Sequence, residues 1–285
     1  MKTVYDNLML DKLNYHNYLR LPELLSLQTL MSTQKRGEAH HDEMFFIIIH
    51  QTAELWFKEI LHETTILVQA FQHVCVSKAL KALKRIKAIM NLQIKQIRML
   101  STLTPFEFAG FRDCLGTGSG FQSQQFREIE FTYGLRNPFF LRFFEKLPAA
   151  KERLAKIQKQ PSVYDEFLMS IDKDSEEYTV PSAVLTRNVQ EPHQPNEELV
   201  DLILKIYQGP QENYHWVLLI EGMLDLDQAF ILWRKTHAVM VERTIGHLKG
   251  TGGSAGFEFL ESREGLKCFP ELWEVRNRIG GGYSA

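Results

Sequence analysis

The stretch from His41 to Phe71, HDEMFFIIIHQTAELWFKEILHETTILVQAF, constrains the fold more than any other part of this chain. It is rich in helix formers and apolar positions, and its thirty-one residues predict a helix of roughly 45 Å at about 1.5 Å per residue, long enough to cross a domain. A plain core helix would not carry Asp42, Glu43, His50, Gln51, Glu54, Glu59, His62 and Glu63 as this one does. Phe46 and His50 are four apart and share a face, with Ala53 and Glu54 one turn further on. His50, directly after the run Met44 to Ile49, has two readings: a core histidine bonded to a neighbour, or one that points into a ligand cavity lined by Phe46.

With 285 residues and 44% hydrophobic content, the chain can bury a full core. A formal net charge of -2 gives no global reason to expect nucleic acid or an anionic membrane as partner. The start, MKTVYDNLML, has no apolar segment of the export type, and no apolar run reaches the ~20 residues that span a bilayer. Cys75, Cys114 and Cys268 are widely spaced and form no CxxC pair, which argues against a disulfide framework and a thiolate zinc site. A reducing compartment, the cytoplasm, is the expectation.

Residues 1–20 form an N-terminal arm with Tyr15, Tyr18 and Leu19 in LNYHNYLRL; its aromatics pack on their own domain or reach a neighbouring subunit. LPELLSLQTLM, residues 21–31, reads as one short amphipathic helix with Pro22 in its first turn. From Val76 to about Leu100 apolar residues recur every three or four positions, with Lys78, Lys81, Lys84, Arg85 and Lys87 interleaved as a solvated outer face. In STLTPFEFAGFRDCLG, Thr104 is the N-cap, Pro105 the first helical residue, Glu107 the third position of a capping box and Gly116 the stop. Phe108, Arg112 and Leu115 then share one face. That arginine is either a surface ion-pair partner or, in a pocket, a carboxylate clamp.

GTGSG, residues 116–120, is a loop, and FQSQQFREIEFTYG a helix that ends at Gly134. Asn137-Pro138 marks a break before shorter helices. The segment 171–195 loses periodicity, carries Pro181, Pro192 and Pro195, and reads as an irregular excursion. A helix resumes at Glu197 and stops at Gly209-Pro210; Gln211 to Leu248 reads as a second very long helix. Its His237 shares a stripe with Trp233 and Val241. KGTGGSAG follows, with Thr251 among glycines; it is no nucleotide fingerprint, but it lets backbone N–H groups approach a ligand. With no alternating strand pattern, the fold class is all-α: long antiparallel helices in a bundle around a pocket, flanked by shorter ones, with residues 21–285 as one domain.

Two chemistries suit these groups. Glu59-x-x-His62 and Glu212-x-x-His215, with carboxylates such as Glu130 and Glu221, form the pattern of a di-iron site in a helical bundle. Alternatively His237 ligates an iron porphyrin while His50 stands on the ligand side, an assignment that spacing cannot make unaided.

HHDEMFFIIIHQTAELWFKEILHE, FRDCLG, SGFQSQQFREIEF, LWRKTHAVMVERTIGHLKGTGGSAG and FPELWEVR resemble, in order, segments of the tryptophan 2,3-dioxygenase family. The likeness covers roughly Leu13 to Gly134 and Trp216 to Ile279. It implies a haem b pocket, ferrous for activity, with O2 as co-substrate and His237 as the iron ligand. It implies insertion of both oxygen atoms across the indole C2–C3 bond of L-tryptophan to give N-formylkynurenine, the first step of tryptophan catabolism by the kynurenine pathway. His50 would hold the indole N–H and Phe46 would pack on the ring. Arg112 would clamp the substrate carboxylate, and Thr251 would contact its carboxylate and ammonium ends. Phe108, Leu115 and Ser119 would complete the pocket. Tyr15, Tyr18 and Leu19 would come from the adjacent subunit of a homotetramer.

Two positions depart from the resemblance: Thr236 precedes His237 where many relatives carry arginine, and Phe108 stands where some carry tyrosine. A haem-binding relative acting on another indole or aromatic substrate is the alternative reading of the same motifs, with the di-iron carboxylate oxidase behind it.

Overall fold

The computed structural model of the chain describes residues 13–209, 211, 213–248, 250 and 256–279. Among these the fold is all-α, without a strand, and no helix is long and apolar enough to cross a membrane. Three long helices organise it: α1 (His41–Gln72), α2 (Val76–Leu100) and, much later, α7 (Tyr214–Ile245). Between them come α3 (Pro105–Phe111), α4 (Gln124–Thr132), α5 (Val163–Asp174) and α6 (Glu197–Gln208).

A three-residue turn joins α1 to α2, closed by the Cys75 N–H on the Ala70 carbonyl at 2.7 Å, so the two run antiparallel. α7 lies along α2 with Gly222 against Leu83 and Lys87 paired with Asp225 at 2.5 Å. Trp233 of α7 meets Phe57 of α1, and Met240 packs with Ile49. α7 is therefore antiparallel to α1 and parallel to α2. A Cβ on Gly222 would come within 3.2 Å of Leu83, so the small residue lets α7 settle close against α2.

The main core runs between these helices, α5 and α6, where Ile60, Leu67, Ile86, Phe167, Ile203 and Ile220 have no exposed surface. A separate small cluster, with Ile49, Ile97, Phe111 and Met240, fills the end of the bundle beside His50. The expected stripe Lys78, Lys81, Lys84 and Arg85 is exposed, with Lys87 half-buried, as a solvated face should be.

Three expectations need correction. Residues 21–31 do not form one helix: a four-residue turn, Leu21–Leu24, is followed by an extended stretch and then a helix at Met31–Arg36. The break is held from outside, because Gln51 donates to the Leu27 carbonyl at 3.1 Å and Glu43 takes the N–H groups of Met31 and Ser32. Residues 121–134 are not one helix: a 3-10 turn ends at Gln122, and the α-helix is confined to α4, which Ser123 caps through its hydroxyl at 3.2 Å from the Phe126 nitrogen. The 171–195 excursion begins later than expected, since α5 continues to Asp174, and it contains the short helix Ser182–Leu185. Its later part is anchored at two points: Arg187 grips Asp165 at 2.7 to 3.1 Å, and His193 Nε2 lies 2.6 Å from Glu271.

Candidate active site

Phe46 and His50 lie one turn apart on α1, their ring centroids 4.1 Å from each other. The imidazole Nδ1 is 2.7 Å from the Phe46 carbonyl oxygen. A carbonyl can only accept, so Nδ1 carries the proton and Nε2 keeps its lone pair for another donor. His50 has open surface yet is hemmed in by protein, as a residue on the wall of a concavity would be. Desolvation draws its pKa below the ordinary imidazole value and outweighs the Phe46 carbonyl and Glu54, which favour protonation.

Phe46 extends into an aromatic wall. It lies 5.6 Å from Phe108 and 5.5 Å from Phe111, and those two meet edge-on at 5.5 Å. Leu115 and, from α7, Val241 pack on the same cluster. The start of α3 is fixed by the expected capping box: the Thr104 hydroxyl accepts from the Glu107 N–H at 3.3 Å, and the Glu107 carboxylate accepts from the Thr104 N–H at 2.8 Å. After Phe111 the chain tightens into a 3-10 turn, Arg112–Leu115, that Gly116 ends at φ +60°. Arg112 opens that turn and is half-buried. Ser119 is half-buried as well, and its hydroxyl accepts the Phe121 N–H at 3.4 Å to cap the turn Gly120–Gln122.

His237 lies on α7 between Trp233 and Val241, both packed against this aromatic cluster. Its ring stacks on Trp233 at 5.3 Å with an interplanar angle of 13°, and it makes no hydrogen bond among the described residues. Burial first, then the charges of His50 and Arg127, push its pKa down to about 4. A neutral imidazole with a free ring-nitrogen lone pair is what a histidine would need in order to hold the iron of a porphyrin. The buried indole N–H of Trp233 beside it also meets no acceptor among the described residues, so the region has unused donors as well as an unused lone pair. The unbonded His237 imidazole fits the iron of a haem.

The structure thus brings together Phe46, His50, Phe108 and Leu115, with Arg112 on the adjoining turn and His237 on α7 between Trp233 and Val241, which pack on the same cluster. Tyr15, Tyr18 and Leu19 are not brought to this pocket within one chain: they are 71%, 70% and 41% exposed, on a short turn capped by Asn14. Thr251 lies outside the described residues. The flanks of its loop do meet, since Gly256 at φ +58° would place a Cβ 2.8 Å from the Leu248 carbonyl oxygen.

The di-iron carboxylates do not gather. Glu130 pairs with Arg127 and Arg263, Glu221 with Arg276 and the Tyr207 hydroxyl, and His215 lies 3.7 Å from Asp174. Glu59 borders an open groove of about 500 Å³ with Thr52, Trp56 and Arg85, and Glu212 lies outside the described residues. No cluster of metal-ligating side chains occurs among the described residues. Sequence reasoning missed Phe111 and the buried Arg127; the FREIEF pattern contains Arg127 and Glu130 three apart, but a solvated pair has the same spacing.

The chain matches the family model described as tryptophan 2,3-dioxygenase over residues 6–166 and 152–279. It is 42% identical over 270 residues to the tryptophan 2,3-dioxygenase of Arthrobacter sp. (strain FB24), covering 95% of this chain and 93% of that protein. The protein of that name from Rhodococcus jostii (strain RHA1) is 42% identical over 272 residues, again 95% and 93%. The Caulobacter vibrioides (strain ATCC 19089 / CIP 103742 / CB 15) protein, also so named, is 39% identical over 271 residues, 95% of this chain and all of that one. With a match of this extent, over a chain that carries His50 on α1 and His237 on α7, the chain belongs to the tryptophan 2,3-dioxygenase family.

Proposed function

We propose that this enzyme inserts both atoms of O2 across the indole C2–C3 bond of L-tryptophan to give N-formylkynurenine, the first step of tryptophan breakdown by the kynurenine pathway, with haem b as its cofactor. The observation that carries the proposal is the state of two imidazoles: a neutral, unbonded His237 on α7 and, on α1, a His50 whose Nε2 is held as an acceptor. Family membership supplies the chemistry that this pair can serve.

His237 would hold the iron, and ferrous haem, when bound, would supply the oxygen chemistry while the protein supplies position and polarity. His50 Nε2 accepts the indole N–H and fixes the ring's rotation, and Phe46 and Phe108 form the flat apolar wall it lies against. Arg112 clamps the substrate carboxylate through its planar fork, Thr251 adds a contact to the carboxylate and ammonium ends, and Leu115 and Ser119 close the pocket. An indole N–H is a very weak acid and a neutral imidazole removes it poorly, so His50 orients the substrate more than it abstracts a proton.

The exposed Tyr15, Tyr18 and Leu19 reach the pocket of a neighbouring chain, which makes the working unit a homotetramer with shared sites, residues 21–285 of each chain forming the haem domain. Three unpaired cysteines suit a cytoplasmic enzyme.

Anaerobic reduction followed by L-tryptophan and then O2 tests this reading. A Soret band and the growth of N-formylkynurenine absorbance are expected. A Soret band without product would mark a haem-binding sensor; two irons per chain and no Soret band would restore the di-iron alternative.

A further inference from the structure

The turn that carries Arg112 is gripped from a distant part of the chain. It is a single 3-10 turn, a geometry with poorer hydrogen bonds than an α-helix, and a long bond closes its end, from the Gly116 N–H to the Asp113 carbonyl at 3.4 Å. Three further bonds reach it from the helix Met31–Arg36, 74 to 79 positions earlier. Lys35 Nζ donates to the Cys114 carbonyl at 2.7 Å, Arg36 Nη1 to the Gly110 carbonyl at 2.5 Å, and Arg36 Nη2 to the Asp113 carboxylate. Carbonyls at the end of a helix lack intrahelical partners and favour cations, so both side chains suit this edge. Their contacts bracket Arg112 on either side.

The helix Met31–Arg36 is in turn fastened to α1. The buried Glu43 carboxylate takes the N–H groups of Met31 and Ser32 at 2.8 and 2.9 Å. The buried Ser32 hydroxyl accepts the His40 N–H at 2.9 Å, at the residue before α1 begins, and Gly37 at φ +76° turns the chain back to reach it. Glu43, Phe46 and His50 follow one another at helical spacing and so share a face of α1. One short strap therefore spans from the helix that bears Phe46 and His50 to the turn that bears Arg112. Lys35 and Arg36 are exposed, and exposed charge pairs add little to stability, so the value of these contacts lies in where they set the turn.

We propose that Lys35 and Arg36 are positioning residues for the substrate carboxylate: they fix the Arg112 turn relative to α1 and so set the distance between the groups that hold the indole ring and the fork that holds the carboxylate. The assignment rests on Arg112 as the clamp. A bidentate contact is directional, and a turn that drifts at its edge keeps the guanidinium's charge while losing its aim. The strap thus acts on ligands that carry a carboxylate and leaves the indole end of the pocket as it is.

The test is equilibrium binding to the intact, haem-loaded protein, read by spectral titration with L-tryptophan and with tryptamine, which lacks only the carboxylate. A double variant, Lys35→Met with Arg36→Gln, is expected to bind L-tryptophan about 5- to 30-fold more weakly than the parent, as for one lost bond of the clamp, with tryptamine affinity unchanged within about 2-fold. Arg36→Lys, which keeps a cation at the same edge, should lose less than Arg36→Gln. Should the double variant fail to fold, the single variants, each with one anchor left, carry the same comparison. A variant that keeps the parent's preference for the amino acid over the amine overturns the strap and leaves Arg112 as the clamp. Equal losses for both ligands overturn it as well, since a general support of the pocket would act on both. A parent without any preference overturns the clamp reading, and the strap with it.

Discussion

The Glu43 carboxylate accepts the Ser32 N–H at 2.9 Å and, with its other oxygen, the Met31 N–H at 2.8 Å. A residue of α1 thereby caps the helix Met31–Arg36 from across the chain. Glu43 has no exposed surface, yet lies just beneath it. Burial alone would raise its pKa, but the bonds from Ser32 and Met31 outweigh it and hold the carboxyl below the ordinary value.

Because the folded pKa is depressed, this stabilisation is complete above the unfolded value near 4.5 and is lost as pH falls through the folded one. Glu43→Gln is expected to cost about 1–3 kcal/mol at neutral pH, with the gap to the parent narrowing on acidification. Urea unfolding at a series of pH values measures both. Parent and variant stabilities that coincide throughout would show that the cap contributes nothing.

Gly110 carries a similar load at one point of α3. A Cβ there would sit 2.3 Å from His40 Nε2, and the His40 ring rests on Phe111 at 5.2 Å, within the aromatic wall. Gly110→Ala gains helix propensity of up to about 1 kcal/mol but must displace the imidazole, so a net loss of about 1–2 kcal/mol is expected. In a His40→Ala background the same change should become neutral or stabilising. Thermal unfolding of the four proteins in this cycle checks it, and an equal loss in both backgrounds would put the strain elsewhere.

His50 sets a pH profile. Its neutral form accepts the indole N–H, whereas protonation would put a second donor at Nε2. With the pKa drawn below the usual value, tryptophan affinity should stay level from neutral pH down through about 6.5 and fall only in more acid solution. Spectral titrations across that range give the midpoint, and one at or above 6.5 would contradict the assignment. His50→Ala should weaken tryptophan by about 1–3 kcal/mol and 1-methyltryptophan, which lacks the N–H, by much less.

How far the sequence was legible follows from the range of the interactions. α1, α2 and α7 are set by local periodicity, and α3 by a capping box that spans four residues, so all four were readable in one dimension. The split of residues 21–31 was not, because Glu43 and Gln51 impose it from twelve and twenty-four residues away. Within the site, Phe46 and His50 share a face by simple spacing, but only the resemblance could pair His50 with His237, 187 positions later. Arg127 escaped notice because its helix pattern is the same whether the guanidinium is solvated or, as here, buried between two rings.

Arg112 distinguishes an amino acid from an amine. It is half-buried on the turn after α3, beside the ring wall of Phe108 and Phe111. Arg112→Ala is expected to weaken L-tryptophan binding by about 2–5 kcal/mol and tryptamine binding by far less. Equal affinity of the parent for the two ligands would remove the clamp.

The N-terminal arm gives the last expectation, and it can be read without a structure of the assembly. Tyr15, Tyr18 and Leu19 are too exposed to belong to their own chain's core, and the Asn14 cap, with two N–H groups at 3.0 and 3.1 Å, shapes the turn that presents them. If they complete a neighbour's pocket, a chain lacking residues 1–20 should bind haem normally but bind tryptophan weakly. Mixed with the His50→Ala chain under conditions that exchange subunits, it should recover activity, because some pockets then combine an intact His50 from the truncated chain with an intact arm from the other. No recovery after exchange, verified by tagged subunits, would confine the arm to its own chain.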